Sequence, residues 1–179
     1  MRVMGVSGLP GSGKSFVSDL ATKRGAKIVT MGDIIREEAV KRGESSKETA
    51  VNLRKEHGQY IVAELTIKKI KKILEDGFKS SIIVDGIRSP HEVKLFKENF
   101  DDFIVLSIFT NREIRFERIK NRKREDDTTD YSEFIRRDEN ELGFGIGDVI
   151  SLSDKIIINE SDLESYCKEI TEFLEEYDV

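Results

Sequence analysis

Gly8-Leu9-Pro10-Gly11-Ser12-Gly13-Lys14-Ser15 follows an apolar run that ends at Val6 and leads into a helical pattern. These eight residues satisfy G-x-x-x-x-G-K-[ST] at every fixed position. The glycines Gly8, Gly11 and Gly13 let the backbone curl so that successive N–H groups point at a polyphosphate, and the helix behind adds its positive end. Lys14 is placed to reach the β- and γ-phosphates, and the Ser15 hydroxyl to ligate Mg²⁺. With Ser12 these residues form the predicted nucleotide cradle.

Moving outward, the chain has 179 residues, 37% of them hydrophobic and 36% charged, with a net charge of −5. That length predicts one domain with a core of its own. Charge is above the globular average, a composition like the Lys/Glu-rich surfaces of heat-adapted proteins. An acidic balance argues against a general nucleic-acid or membrane surface, so any phosphate site must be a local basic concentration. One cysteine, Cys167, excludes a disulfide framework, and two histidines, His57 and His91, are too few for a zinc site. No apolar stretch approaches membrane-spanning length, and residue 3 begins a strand rather than a signal segment. A cytoplasmic protein is expected; the sequence leaves its oligomeric state open.

Five apolar runs read as strands: Val3–Val6, Lys27–Thr30, Ile82–Asp85, Phe103–Phe109 and Lys155–Ile158. They are continuous rather than alternating, as in parallel strands buried on both faces. Helical patterns lie between them, over 14–24, 33–42, 46–57 and 59–76. Capping boxes are predicted at Ser45/Glu48, Ser89/Glu92 (with Pro90 opening the helix), Thr110/Glu113 and Ser161/Glu164. This alternation predicts a three-layer α/β/α fold around a five-stranded parallel sheet. The least regular stretch, 123–154, rich in charge and glycine, reads as a flap.

In such sheets ligands gather at the carboxyl ends of strands. The second strand ends in Thr30-Met31-Gly32-Asp33-Ile34-Ile35-Arg36, where the Arg36 fork suits a second phosphate and Asp33 is either a helix-end carboxylate or a proton acceptor. The third ends in Asp85-Gly86-Ile87-Arg88. An apolar strand finishing in Asp is the usual partner of such a loop, holding Mg²⁺ directly or through water. Arg88 is placed to join Arg36 around an acceptor phosphate, whereas Glu92 is read as a helix cap. Arg112, Arg115, Arg118, Arg122 and Arg124 follow the fourth strand, and Arg136 and Arg137 lie in the next helix. Phosphoryl transfer asks for several cations around the migrating group, so two to four of these arginines are expected to serve.

The order phosphate loop, Gly-Asp-Ile-Ile-Arg, Asp-Gly-x-Arg, Arg-Ile-x-x-Arg, Arg-x-Asp-Asp, from Met1 to about Arg137, resembles the P-loop nucleoside monophosphate kinases, adenylate kinase above all. The resemblance implies that Arg36 and Arg88 bind the acceptor monophosphate. It implies that Arg118, Arg122 and one of Arg136 or Arg137 clasp the donor and migrating phosphates. It further implies an acceptor-binding helical region over about 31–76 and a short helical lid over about 123–142. Ser153–Ser161 is similar instead to the last strand of dephospho-CoA kinases, and in both families the loop beginning here at Asn159 packs near the donor adenine. Asp33-Ile34-Ile35 also resembles the dephospho-CoA kinase segment whose aspartate is the base. The combination is similar to an archaeal group described as adenylate-kinase-related or dephospho-CoA-kinase-like.

Two departures stand out. Arg88 comes one residue earlier than in the adenylate-kinase pattern, and no base-reading glutamine follows nearby. The expected function is therefore Mg²⁺-dependent transfer of the ATP γ-phosphoryl group to a nucleoside monophosphate, most simply AMP. Transfer to a ribose hydroxyl, with Asp33 as base, and a nucleotide sensor or slow ATPase without a dedicated acceptor are the alternatives.

Overall fold

A computed structural model describes residues 2–122 and 128–179. Its strands are β1 (Val3–Ser7), β2 (Lys27–Thr30), β3 (Ile82–Asp85), β4 (Ile104–Phe109) and β5 (Lys155–Ile158). The helices among the described residues are α1 (Ser15–Lys23), α2 (Met31–Arg42), α3 (Ser46–His57), α4 (Ile61–Glu75), α5 (Pro90–Asn99), α6 (Arg112–Arg122), α7 (Tyr131–Gly143), α8 (Ile146–Ser151) and α9 (Leu163–Glu176). The strands form one parallel sheet in the order β2-β3-β1-β4-β5. All five expected strands are present, within a residue of the expected limits.

Side chains alternate across the sheet, so each central strand feeds two cores. Val3, Ile82, Val84 and Val105 pack beneath α2, α4, α5 and α8, together with Ile70 and Phe96. Met4, Val6, Ile83, Leu106, Ile108 and Ile157 face α1 and α9, where Val17, Tyr166, Ile170 and Phe173 close the layer. Gly5 belongs to the first face because a side chain there would run into Ile87 and Phe103.

Helix α4 buries Val62, Ala63, Thr66, Ile67 and Ile70, the i, i+3/i+4 stripe of an amphipathic helix. The capping boxes at Ser45/Glu48 and Ser89/Glu92 form as expected. The other two do not. Asn111 Oδ1 takes the Ile114 N–H at 3.0 Å, while the Thr110 hydroxyl turns to Ser12 O. Asp162, one residue past Ser161, caps α9 through Ser165 N at 2.9 Å. Each shift moves the cap one residue on, to an Asn or Asp, both favoured N-cap residues, whose side-chain oxygen accepts from the N–H three residues later. The stretch read as an irregular flap carries α7 and α8. Its glycines mark helix ends: Gly145 sits at φ +98° between the two. Of the expected lid, residues 123–127, with Arg124, lie outside the described residues. Among the described residues no helix is long and apolar enough to cross a membrane.

The register sets the site. Val6 pairs with Asp85 and Thr30 with Asp85, so the carboxyl ends of β1, β2 and β3 come level. The first loop leaves β1, whose neighbours are β3 and β4, the place where the connections diverge.

The aromatic group on α5 is the firmest point beneath this rim. Phe96 is fully buried and stacks on Phe103 at 5.2 Å between ring centres. Phe96→Ala is expected to destabilise the protein by about 3–5 kcal/mol, measured by urea unfolding.

Candidate active site

The loop between β1 and α1 is held from behind through its carbonyl groups. Asn159 Nδ2 donates to Ser12 O at 2.8 Å, and the Thr110 hydroxyl reaches the same oxygen at 3.1 Å. The Tyr166 hydroxyl donates to Gly13 O at 3.0 Å, and Arg115 Nη1 to Pro10 O at 3.0 Å. Carbonyls drawn outward leave the amides for the opposite side, the arrangement an anion needs. The approach is close enough to exclude side chains. Gly13 (φ +100°) would drive a Cβ into Asn159 Nδ2, and Gly11 (φ +82°) would set one 2.9 Å from Arg115 O. The first turn of α1 contains no acidic residue to offset its positive end.

On the amide side opens a cavity of about 990 Å³, lined among others by Gly8, Gly11, Gly13, Lys14 and Ser15. Asp85, Arg88, Arg118, Arg122, Arg137, Glu141 and Asn159 share it. Lys14 Nζ folds back onto Gly8 O at 2.5 Å. Burial pulls its pKa below the ordinary lysine value, while Asp85 and Glu141 pull the other way. Burial pushes the Asp85 carboxyl above the usual range, against the opposing pull of Lys14 and Arg88. Asp85 Oδ1 and Ser12 Oγ are buried with no hydrogen-bond partner. A buried carboxylate oxygen without a donor, across the cavity from the Ser15 hydroxyl, fits Mg²⁺, which takes one or two protein oxygens and completes its shell with water and phosphate. No cluster of three or more His, Cys, Asp or Glu side chains among the described residues offers a self-sufficient metal cage.

The predicted arginines separate into distinct positions. Arg88, Arg118 and Arg122 line the cavity, and from α7 Arg137 does so. Arg136 instead faces solvent beside Glu133, 3.8 Å away. Arg118 Nη2 donates to Asn159 O at 3.0 Å, which ties it to the back of the loop. Arg36 and Asp33 do not line the cavity. Arg36 grips Asp33 on the exposed side of α2, with Nε 3.0 Å from Oδ1. Asp33 is still close enough for its charge to raise the Asp85 pKa. Glu92 is a cap, accepting from Arg88 N at 2.7 Å and Ser89 N at 3.1 Å.

Three participants escaped sequence reasoning. Arg115, one of the arginines from which the phosphate-facing set was expected, is instead 2% exposed and forks Asp138 of α7. It also donates to Thr110 O at 3.1 Å and stacks over Phe134. Tyr166 sits on the buried stripe of α9, where a phenol among aliphatic neighbours signals a polar task; burial pushes its pKa up. Glu141, three residues after Asp138, shares its helix face and meets Arg88 at 3.2 Å.

A parallel five-stranded sheet with this loop at its switch point defines the α/β fold of the P-loop kinases. A family model described as an AAA domain matches residues 7–135. A UPF0200 protein of Methanothermobacter thermautotrophicus is 48% identical over 174 residues, spanning 97% of this chain and 90% of its own. The UPF0200 protein of Methanocaldococcus jannaschii is 39% identical over 181 residues, covering 98% and 90%. The chain belongs to the UPF0200 family and, over residues 7–135, to the AAA-domain family. In fold it is similar to a shikimate kinase from Bacteroides thetaiotaomicron (TM-score 0.60, 14% identity, covering 100% and 99% of the two chains). A sugar kinase from Janibacter gives a TM-score of 0.69 at 11% identity, covering 98% of this chain and 95% of its own.

Two results are expected from this geometry. Arg115→Met leaves Asp138 buried without its partner and should lower stability by about 3–5 kcal/mol in urea unfolding, whereas adding Asp138→Leu should recover most of the loss. Asp85→Asn removes an ionised group that burial disfavours. Because the folded-state pKa is raised, ionising Asp85 weakens the fold as pH climbs above the usual carboxylate range. The variant should therefore melt about 2–4 °C higher at neutral pH without nucleotide, with the gain shrinking in acid.

Proposed function

We propose that this protein transfers the γ-phosphoryl group of ATP to a nucleoside monophosphate, most simply AMP. The observation carrying the reading is the cation set on one cavity: Lys14, Arg88, Arg118, Arg122 and Arg137 share its wall with the loop amides and Asp85. Such a concentration of cations, beside the acids Asp85, Glu113, Glu117 and Glu141 and in a chain of net charge −5, suits two polyanions brought together rather than one.

In this reading the donor phosphates lie on Gly11–Ser15. Lys14 leaves Gly8 O and takes the β- and γ-phosphate oxygens. Ser15 and Asp85 would hold Mg²⁺, which would supply charge neutralisation for the phosphates. Arg118 and Arg122 from α6 and Arg137 from α7 meet the migrating group, and Arg88 holds the acceptor phosphate. Arg36 joins Arg88 only after releasing Asp33. The segment from Asn159 to Leu163 borders the donor base, since Asn159, Ser161 and Leu163 line the same cavity. An acceptor phosphate is already ionised, so positioning and charge neutralisation carry the catalysis without a base.

A second reading, transfer to a hydroxyl, draws support from Asp33. Its charge reaches Asp85 at the rim, and a hydroxyl needs a proton acceptor. A steady-state assay of ATP consumption with and without AMP separates the possibilities. Lys14→Ala should lower turnover by at least about a hundredfold. Asp33→Asn should leave phosphate transfer within about tenfold of the parent, but would cut hydroxyl transfer by about 10²–10⁴. ATP consumption indifferent to AMP, alongside tight AMP binding, would instead identify a nucleotide sensor.

A further inference from the structure

The cations of the cavity share its wall with four acids, Asp85, Glu113, Glu117 and Glu141, and the last of these is paired with Arg88. Helix α7 carries Glu141 into the cavity: the carboxylate lies 3.2 Å from Arg88 Nη1 and is 14% exposed, against 44% for the arginine side chain. Its charge also reaches Lys14. Glu141 is not needed to hold α7 in place. That work falls to Asp138, locked on Arg115 and 1% exposed, and to fully buried Phe134. Asp138 and Glu141 thus occupy one helix face with different duties, one a fixed anchor and the other a single ion pair at the mouth of the acceptor side.

We infer that Glu141 is a specificity residue: it occupies the acceptor-anion position on Arg88, and an acceptor binds only by displacing it. The inference rests on Arg88 being the acceptor-phosphate ligand and concerns what competes for that arginine. The competitor sets a threshold. A singly charged acceptor exchanges one carboxylate for another and has nothing to offset its lost freedom of motion. A phosphate monoester brings nearly two charges and three acceptor oxygens to a planar fork, and so wins the exchange. Discrimination then comes as much from the group that must be driven off as from the bonds the phosphate makes.

The test is calorimetric binding to the full chain with the donor loop saturated by ADP and Mg²⁺, using AMP, inorganic phosphate and acetate as probes. Glu141→Gln should bind AMP and phosphate about tenfold more tightly than the parent and should narrow the preference for phosphate over acetate. The tightening should vanish when Arg88→Ala is compared with Arg88→Ala/Glu141→Gln. Glu141→Ala should repeat the result, and melting curves confirm that each variant is folded. If AMP binds neither protein while phosphate shows the Arg88-dependent tightening, the competitor role stands and the nucleoside monophosphate reading falls. The inference is overturned if no probe binds Glu141→Gln more tightly, or if the tightening persists without Arg88. It is equally overturned if Glu141→Gln lowers turnover with affinity unchanged.

Discussion

The site depends on where the carbonyl oxygens of one loop are sent. Between Pro10 and Gly13 the backbone is pinned from outside by Arg115, Thr110, Asn159 and Tyr166. A peptide plane that offers its oxygen to one side presents its N–H to the other. Four side chains from α6, α9 and the two loops that follow β4 and β5 thereby turn a flexible glycine-rich turn into a fixed array of donors. The energy of each bond is modest, but satisfying buried carbonyls avoids a penalty of about 1–3 kcal/mol apiece, and the set makes one loop geometry preferred over all others. Phosphate binding then needs little reorganisation of the main chain.

Around this frame the charges sort by how firmly they are held. The Arg115–Asp138 pair is dry and multiply bonded, a fixture that joins the loop to α7. Arg36–Asp33 is exposed at both ends, whereas Arg88 is half-exposed and its partner Glu141 largely covered. Breaking the first pair would strand a buried charge, whereas an arginine that reaches water can exchange its carboxylate for an incoming anion. Rigid and exchangeable ion pairs sit within one helix turn of each other on α7.

Much of this was legible in the sequence because its signals are local. The eight-residue loop, the five apolar runs and the aspartate closing the third run each depend on neighbours a few residues away, whereas the strand order is set by the tertiary packing. The capping boxes at Ser45 and Ser89 were legible for the same reason. Those at Thr110 and Ser161 were not, because Thr110 is drawn to Ser12, far away in the chain, and a neighbouring Asn or Asp takes the capping task. The arginines show the same boundary. Composition announces a basic cluster in an acidic protein, but Arg136 and Arg137 are adjacent and point in different directions around one helix; only the packing of α7 on α6 through Phe134 decides which meets the cavity. Asp138 and Glu141 carry no local signal, because their partners Arg115 and Arg88 are brought to them only by the packing of α7.

The supports of the loop are separated from it by most of the chain: Asn159 binds Ser12 across 147 residues and Tyr166 binds Gly13 across 153. On translation the phosphate-binding motif therefore emerges 147 to 153 residues ahead of these two braces. Until β5 and α9 dock, that segment lacks them and stays slack and glycine-rich, and their docking confers nucleotide competence in one step. Anion binding at the loop between β1 and α1 thus reports that the far side of the sheet has closed.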